Sequence, residues 1–226
     1  MTGLSLLLTC HGDVRSQDVG GAMKRYFAWI AVLALWGCGS SGDSVEQMIA
    51  FTPEHFRDTA QVVDDTLETT AIISTEQGRH EIGDIFTDGW KCKSFLRAFV
   101  DKRSGAATYQ LYVEIRYLGD RRAYNTINYF TPQGVRSSSL VRIARDKGRC
   151  PRSGDCQHTE DVGLNMPEDM LRQIAATYAP NARNGWLFKL KGKIGGTDVE
   201  DVIMPSEAAG MLMAVQAYKS SLHHLY

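Results

Sequence analysis

The sequence predicts a single α+β domain, an antiparallel β meander with two to three helices packed on one face. Three observations carry this. Ala106 to Leu118 alternates with period two: Tyr109, Leu111, Val113, Ile115 and Tyr117 fall on one face, Gln110, Glu114 and Arg116 on the other. That is the pattern of a half-buried antiparallel strand. The strand-like segments after it are joined by short turns at Gly119-Asp120 and Pro132-Gln133-Gly134, and short connections favour antiparallel neighbours. Two later segments, opened by Pro167 and Pro205, carry apolar residues at helical spacing.

Thr52-Pro53-Glu54 supplies a cap, a first-turn proline and an acid suited to the helix dipole. Phe56, Ala60 and Val63 share one face, so a helix is expected from there to Asp64-Asp65. Thr66 to Thr75 is β-branched and reads as a strand, and Gly78 to Gly89 as a polar, turn-rich loop. Strands are expected over Cys92 to Asp101, Ala106 to Leu118, Ala123 to Thr131, Val135 to Ala144 and Gln157 to Leu164. Pro167 opens a helix with Leu171, Ile174, Ala175 and Tyr178 on one side. Trp186 to Ile194 and Asp198 to Met204 flank Gly195-Gly196 as a hairpin. Pro205-Ser206-Glu207 opens the last helix, with Ala208, Met211, Leu212, Val215 and Tyr218 on one face and a tail from residue 221.

The stretch Met23 to Asp43 speaks to location. Lys24 and Arg25 are followed by an uncharged apolar run from Tyr26 to Trp36, the grammar of a secretory signal. The run is too short for the roughly 20 residues a membrane-spanning helix needs. Its ending, Leu35-Trp36-Gly37-Cys38, resembles the lipobox of bacterial lipoproteins. The resemblance implies that residues 23–37 are removed, and that Cys38 is lipidated and becomes the mature N-terminus. Gly39 next to it implies sorting to the outer membrane, with the domain facing the periplasm. Residues 1–22 precede a complete signal and read as an overextended start. Residues 38–51 read as the lipidated cysteine and a polar tether, and residues 52–220 as the domain.

Without residues 1–37 the chain carries 22 basic and 24 acidic residues. The charge is unevenly spread. Between Arg116 and Arg152 lie nine basic residues against Asp120 and Asp146 alone, a local net of +7. Neighbouring strands in this stretch would present a basic face, and Arg121, Arg122, Arg142 and Arg145 are the expected contacts for an anionic envelope component or an acidic protein partner. The competing expectation is that these arginines pair with acids from Asp155 to Asp169. No nucleic acid partner is expected in that compartment. Oxidation is permitted there, and Cys150 and Cys156 bracket a turn-forming Pro-Arg-Ser-Gly-Asp, so a Cys150–Cys156 disulfide is expected, with Cys92 reduced and buried.

Catalytic patterns are weak. Gly42-Asp43-Ser44 resembles the core of the Gly-Asp-Ser esterase signature, and Asp155 with His158 would complete a triad. A nucleophilic serine needs a rigid elbow and a base within reach, whereas Ser44 follows closely on Cys38 with no strand before it. His80-Glu81 with Asp84 and Asp88, and His223-His224, have no metal-site spacing, and no cofactor is expected. Lys191-Gly192-Lys193 leads into a hairpin rather than a phosphate-binding helix. The sequence therefore favours a non-enzymatic envelope lipoprotein that binds an anionic component or a partner. A periplasmic hydrolase and a structural or assembly scaffold are the alternatives.

Overall fold

The computed structural model describes residues 48–79, 85, 88–148, 150, 155–193 and 197–222, all within one compact unit. The signal, Cys38 and Ser44 lie outside the described residues, as do His80, Glu81, Asp84, Arg149, Arg152, Gly195, Gly196, His223 and His224. The α+β class is borne out. The strands form two wholly antiparallel sheets. The larger has the order β1 (Gln61–Val63), β2 (Thr70–Ser74), β3 (Trp90–Asp101), β4 (Ala107–Leu118), β8 (Gln157–Met166), β7 (Val141–Lys147). The smaller has the order β10 (Val199–Ile203), β9 (Trp186–Lys191), β5 (Thr126–Thr131), β6 (Gly134–Ser139).

β3 and β4 form the backbone of the larger sheet, paired from Trp90↔Tyr117 to Val100↔Ala107. Their alternation sorts the chain as the sequence implied. Cys92, Leu96, Ala98 and Val100 join Tyr109, Leu111, Val113, Ile115 and Tyr117 on the buried face. β8 adds Val162, Leu164 and Met166. The smaller sheet contributes Ile127, Phe188, Leu190, Val199 and Ile203 to the same core. Each such side chain is worth about 1.5–3 kcal/mol when taken from water, so the face common to both sheets dominates the stability.

Among the described residues, which open on helical residues 48–50, three helices have both ends described: α1 (Pro53–Asp58), α2 (Glu168–Ala176) and α3 (Pro205–Leu222). α3 lies against β2 and β3, while α1 and α2 pack against α3. Crowding on several sides explains why nearly the whole first half of α3 is buried, including Ala208, Gly210, Met211 and Ala214. The Thr52 hydroxyl caps α1 by accepting from the His55 N–H at 3.3 Å.

The structure corrects three expectations. First, α1 ends at Asp58, not at Asp64-Asp65. The Thr59 hydroxyl donates to the His55 carbonyl at 2.7 Å, and the β-branched Val62 and Val63 turn outward on edge strand β1. Second, Val135 to Ala144 is not one strand. It divides at Leu140 into β6 of the smaller sheet and β7 of the larger one, and the Leu140 N–H donates to the Asn125 carbonyl at 2.9 Å. Third, the strands do not follow one another as a single meander. β4 pairs with β8, and β5 to β6 belong to the other sheet, so the chain leaves the larger sheet at Gly119 and returns at Val141. The expected disulfide is present between Cys150 and Cys156, closing the β7–β8 connection, and Cys92 is free and buried.

The closest helix contact supplies a test. A Cβ at Gly210 would sit 2.5 Å from Phe56 Cβ and 2.6 Å from the Pro53 carbonyl oxygen, both on α1. Gly210→Ala is expected to push α1 from α3 and cost about 1–3 kcal/mol, read as a lower urea midpoint.

Candidate functional site

Two buried carboxylate clusters, centred on Glu207 and Glu160, and one exposed apolar row are the chemically distinctive features of the described residues. The first carboxylate is Glu207, in the first turn of α3. Its Oε2 accepts from Arg79 Nη1 at 2.6 Å, and its Oε1 from Thr75 Oγ1 at 2.7 Å and the Leu96 N–H at 3.1 Å. Arg79 Nη2 donates to the Val202 carbonyl at 3.0 Å and lies 3.5 Å from Asp201 Oδ1, and Asp201 Oδ2 accepts from the Ser94 hydroxyl. These three charged side chains are essentially dry. Burial raises the Glu207 carboxyl above its usual range, against the opposing pull of Arg79. Burial and the Asp201 charge hold the Cys92 thiol well above its usual range. Among the described residues no imidazole joins Ser94 and Asp201, and none of the clefts described below is lined by Ser94, Asp201, Glu207 or Cys92. The group ties β3, β10 and α3 together, and removing one partner of such a buried pair costs about 3–5 kcal/mol.

The second carboxylate, Glu160 on β8, organises the expected basic region. Its Oε2 accepts from Arg145 Nη2 at 3.0 Å, and its Oε1 from the Tyr117 hydroxyl and from the Ala123 N–H at 2.9 Å. Tyr117 in turn accepts from the Arg122 N–H at 3.0 Å, and the Arg122 guanidinium lies 4.6 Å from the Tyr117 ring centroid. Arg122 and Arg145 are therefore drawn toward one cluster, Arg145 on the buried Glu160 carboxylate and Arg122 over the Tyr117 ring, rather than spread on an open face. For Arg145 the competing expectation, pairing with an acid of the following segment, is the one realised. Arg121 and Arg142 are exposed, as is Arg136 on β6. Among the described residues none of these three has a carboxylate partner. Arg116 instead pairs with Glu114 at 2.7 Å.

On the outer face of the larger sheet, polar side chains satisfy one another. The Arg97 guanidinium covers the rings of Phe99 and Tyr112 and donates to Gln110, which donates to Asn165 at 2.7 Å. The outer face of the smaller sheet differs. Phe130, Val135 and Leu187 are each at least half exposed, at 56%, 62% and 50%. Phe130 and Leu187 border a cleft of about 320 Å³, whose lining also includes Pro132, Met170, Ile174 and Trp186. A second cleft of about 250 Å³ lies between Val135, Leu187 and the Lys189–Glu200 ion pair.

Other expected sites separate. His158 is buried and stacked on Tyr117, with ring centroids 5.3 Å apart, while Asp155 is exposed. Lys191 is taken by Asp198 in the β9–β10 hairpin. Among the described residues no group of three or more His, Cys, Asp or Glu side chains is placed to hold a metal ion. No described helix is long and apolar enough to cross a membrane. Sequence reasoning missed the apolar row, although a signal was present. Tyr129-Phe130 and Trp186-Leu187-Phe188 are consecutive apolar residues in strands, and strict alternation must turn one member of each run outward. Comparison with protein-family models, curated proteins and solved structures finds no match for this chain.

The Glu160 cluster makes a pH prediction. Burial pushes its carboxyl up, but the Tyr117, Ala123 and Arg145 donors together outweigh this and leave it below the usual range. The stabilisation is therefore present above the unfolded pKa of about 4.3 and is lost as pH falls through the lowered folded value. Tyr117, pushed up to about 12 by burial and by its bond to Glu160, has the opposite sense: its contribution holds below the ordinary phenol range and fades as pH rises toward that value. Glu160→Gln is expected to lower the urea midpoint at neutral pH and to flatten its fall on acidification; an unchanged acid limb would assign that limb to other groups.

Proposed function

We propose that this chain is a non-enzymatic lipoprotein of the bacterial envelope. On this reading it is anchored in the outer membrane through Cys38, with its domain in the periplasm, and binds an anionic envelope component or an acidic partner surface. The observation that carries the binding reading is the set of exposed arginines with no carboxylate partner among the described residues: Arg121 in the β4–β5 connection, Arg136 on β6 and Arg142 on β7. β6 and β7 are each an edge strand of their sheet and are joined through Leu140 alone, so Arg136 and Arg142 lie on consecutive edge strands, with Arg121 in the β4–β5 connection. A guanidinium offers a planar fork of donors that matches phosphate or carboxylate. Arg122 and Arg145 support the edge from beneath: their bonds through Tyr117 and Glu160 fix the connection that carries Arg121 and the strand that carries Arg142. The anchor reading is supported by the order of the cationic, apolar and Leu-x-Gly-Cys segments in the sequence.

Each half has its own test. Expressed in a Gram-negative host fed labelled palmitate, the wild-type chain should incorporate label and Cys38→Ser should not; equal labelling would remove Cys38 as the anchor. A chain of residues 39–226 should bind phosphatidylglycerol vesicles or lipopolysaccharide with an affinity that falls as salt rises. Replacing Arg121, Arg136 and Arg142 together by serine should weaken binding by on the order of 100-fold, at about 1 kcal/mol for each charge near an anionic surface. Arg145→Ser should instead lower stability, because it strips a partner from buried Glu160. Binding that ignores both salt and the triple substitution would rule out the edge.

A further inference from the structure

We propose that the exposed apolar row of the smaller sheet is a bilayer-docking face, which seats the domain on the membrane that holds its anchor. The row is set by register. Val135 is paired with Phe130, and Leu187 with Val202. Tyr129 pairs with Phe188, so the next antiparallel step sets Phe130 beside Leu187. Val135, Phe130, Leu187 and Val202 thus form one apolar band across all four strands. An apolar band exposed on a folded domain marks a surface that meets something.

Its surroundings select an uncharged apolar occupant. The cleft on one side has no charged side chain in its lining, and Thr131, Gln173, Thr177 and Asn184 supply the polar side chains there. On the other side Lys189 and Glu200 neutralise each other. The exposed arginines, which have no carboxylate partner among the described residues, belong to the surface proposed above for an anionic partner, and the row is chemically distinct from them.

Its position selects the membrane. Asn184 lines both the first cleft and a small recess that contains Ile49. Gly185 abuts the end of the row so closely that a Cβ there would sit 2.1 Å from Val202 Cγ2. The described chain therefore begins beside the row. Cys38 precedes Met48 by ten residues. At about 3.3–3.6 Å per residue, that length reaches at most about 35 Å. A lipid at Cys38 thus keeps the start of the described chain, beside the row, within about 35 Å of the bilayer. This step rests on the anchor reading above, and the experiment separates the two.

The test uses the mature protein mixed with vesicles of neutral phosphatidylcholine. Val135→Cys carries an environment-sensitive NBD label, and Asn165→Cys, on the outer face of the larger sheet, carries the same label as control. The other described cysteines do not compete, since Cys92 is buried and Cys150 is bridged to Cys156. NBD at position 135 should brighten severalfold and shift to the blue, the control should do neither, and adding Phe130→Ser with Leu187→Ser should abolish the response while flotation with vesicles persists. Flotation with no response at position 135, or an equal response at both positions, overturns the docking face and leaves the anchor standing. A response that grows with protein concentration in the absence of vesicles assigns the row to a second copy of this chain and overturns the proposal. Loss of flotation refutes the anchor reading alone. The labelled protein in excess vesicles then decides the face by the same comparison, a response confined to position 135 sustaining it and none overturning it.

Discussion

The arrangement depends first on burying the Glu207 carboxylate together with Arg79 and Asp201. A lone charge in a dry interior is prohibitive, so these groups persist only because each is met by an opposite charge or a hydrogen-bond donor. The partners come from four places: Thr75 after β2, Ser94 and Leu96 on β3, Asp201 and Val202 on β10, and α3 itself. Apolar contact alone would let the smaller sheet and α3 slide over the larger sheet. The fixed geometry of these bonds admits one position. The arrangement leaves Cys92 and Ser94 enclosed, which is why residues with nucleophilic potential act here as packing and bridging groups.

Glu160 does for the other end of the core what Glu207 does for the first. It accepts from Ala123, whose φ of 52° is unusual for a residue with a Cβ, and from Tyr117 and Arg145. The chain between the sheets is thereby bent around one carboxylate. The cost of that bend is met by satisfying a charge that would otherwise be buried without partners. The basic stretch also divides at this point. Arginines that reach Glu160 or cover Tyr117 become part of the core, and those on the edge strands and the β4–β5 connection stay in water.

The two remaining surfaces then have separate chemistry. The β6–β7 edge carries exposed arginine charge, which acts at long range and is weakened by salt. The outer face of the smaller sheet offers apolar contact that acts only at close range and is insensitive to salt. On the proposed reading, a domain held near a membrane would have use for both: the short-range face would set which side is down, and the charged edge would remain free to recruit.

The sequence by itself determined the class of fold and the sorting of β4, because a period of two is a local property that no tertiary contact needs to supply. It also determined the helix starts at Pro53 and Pro205, from cap and ring chemistry, and the Cys150–Cys156 bridge, from short spacing around a turn. It did not reveal that Val135 to Ala144 is two strands in two sheets, since a change of partner at Leu140 leaves no mark on the alternation either side of it. Nor did it distinguish Arg142 from Arg145. Both rise from the inner face of β7, opposite Val162 and Glu160 respectively, and only the partner strand decides that one meets a carboxylate and the other water. Charge pairing and strand exchange are relations between segments far apart in the chain, and only the tertiary structure decided them.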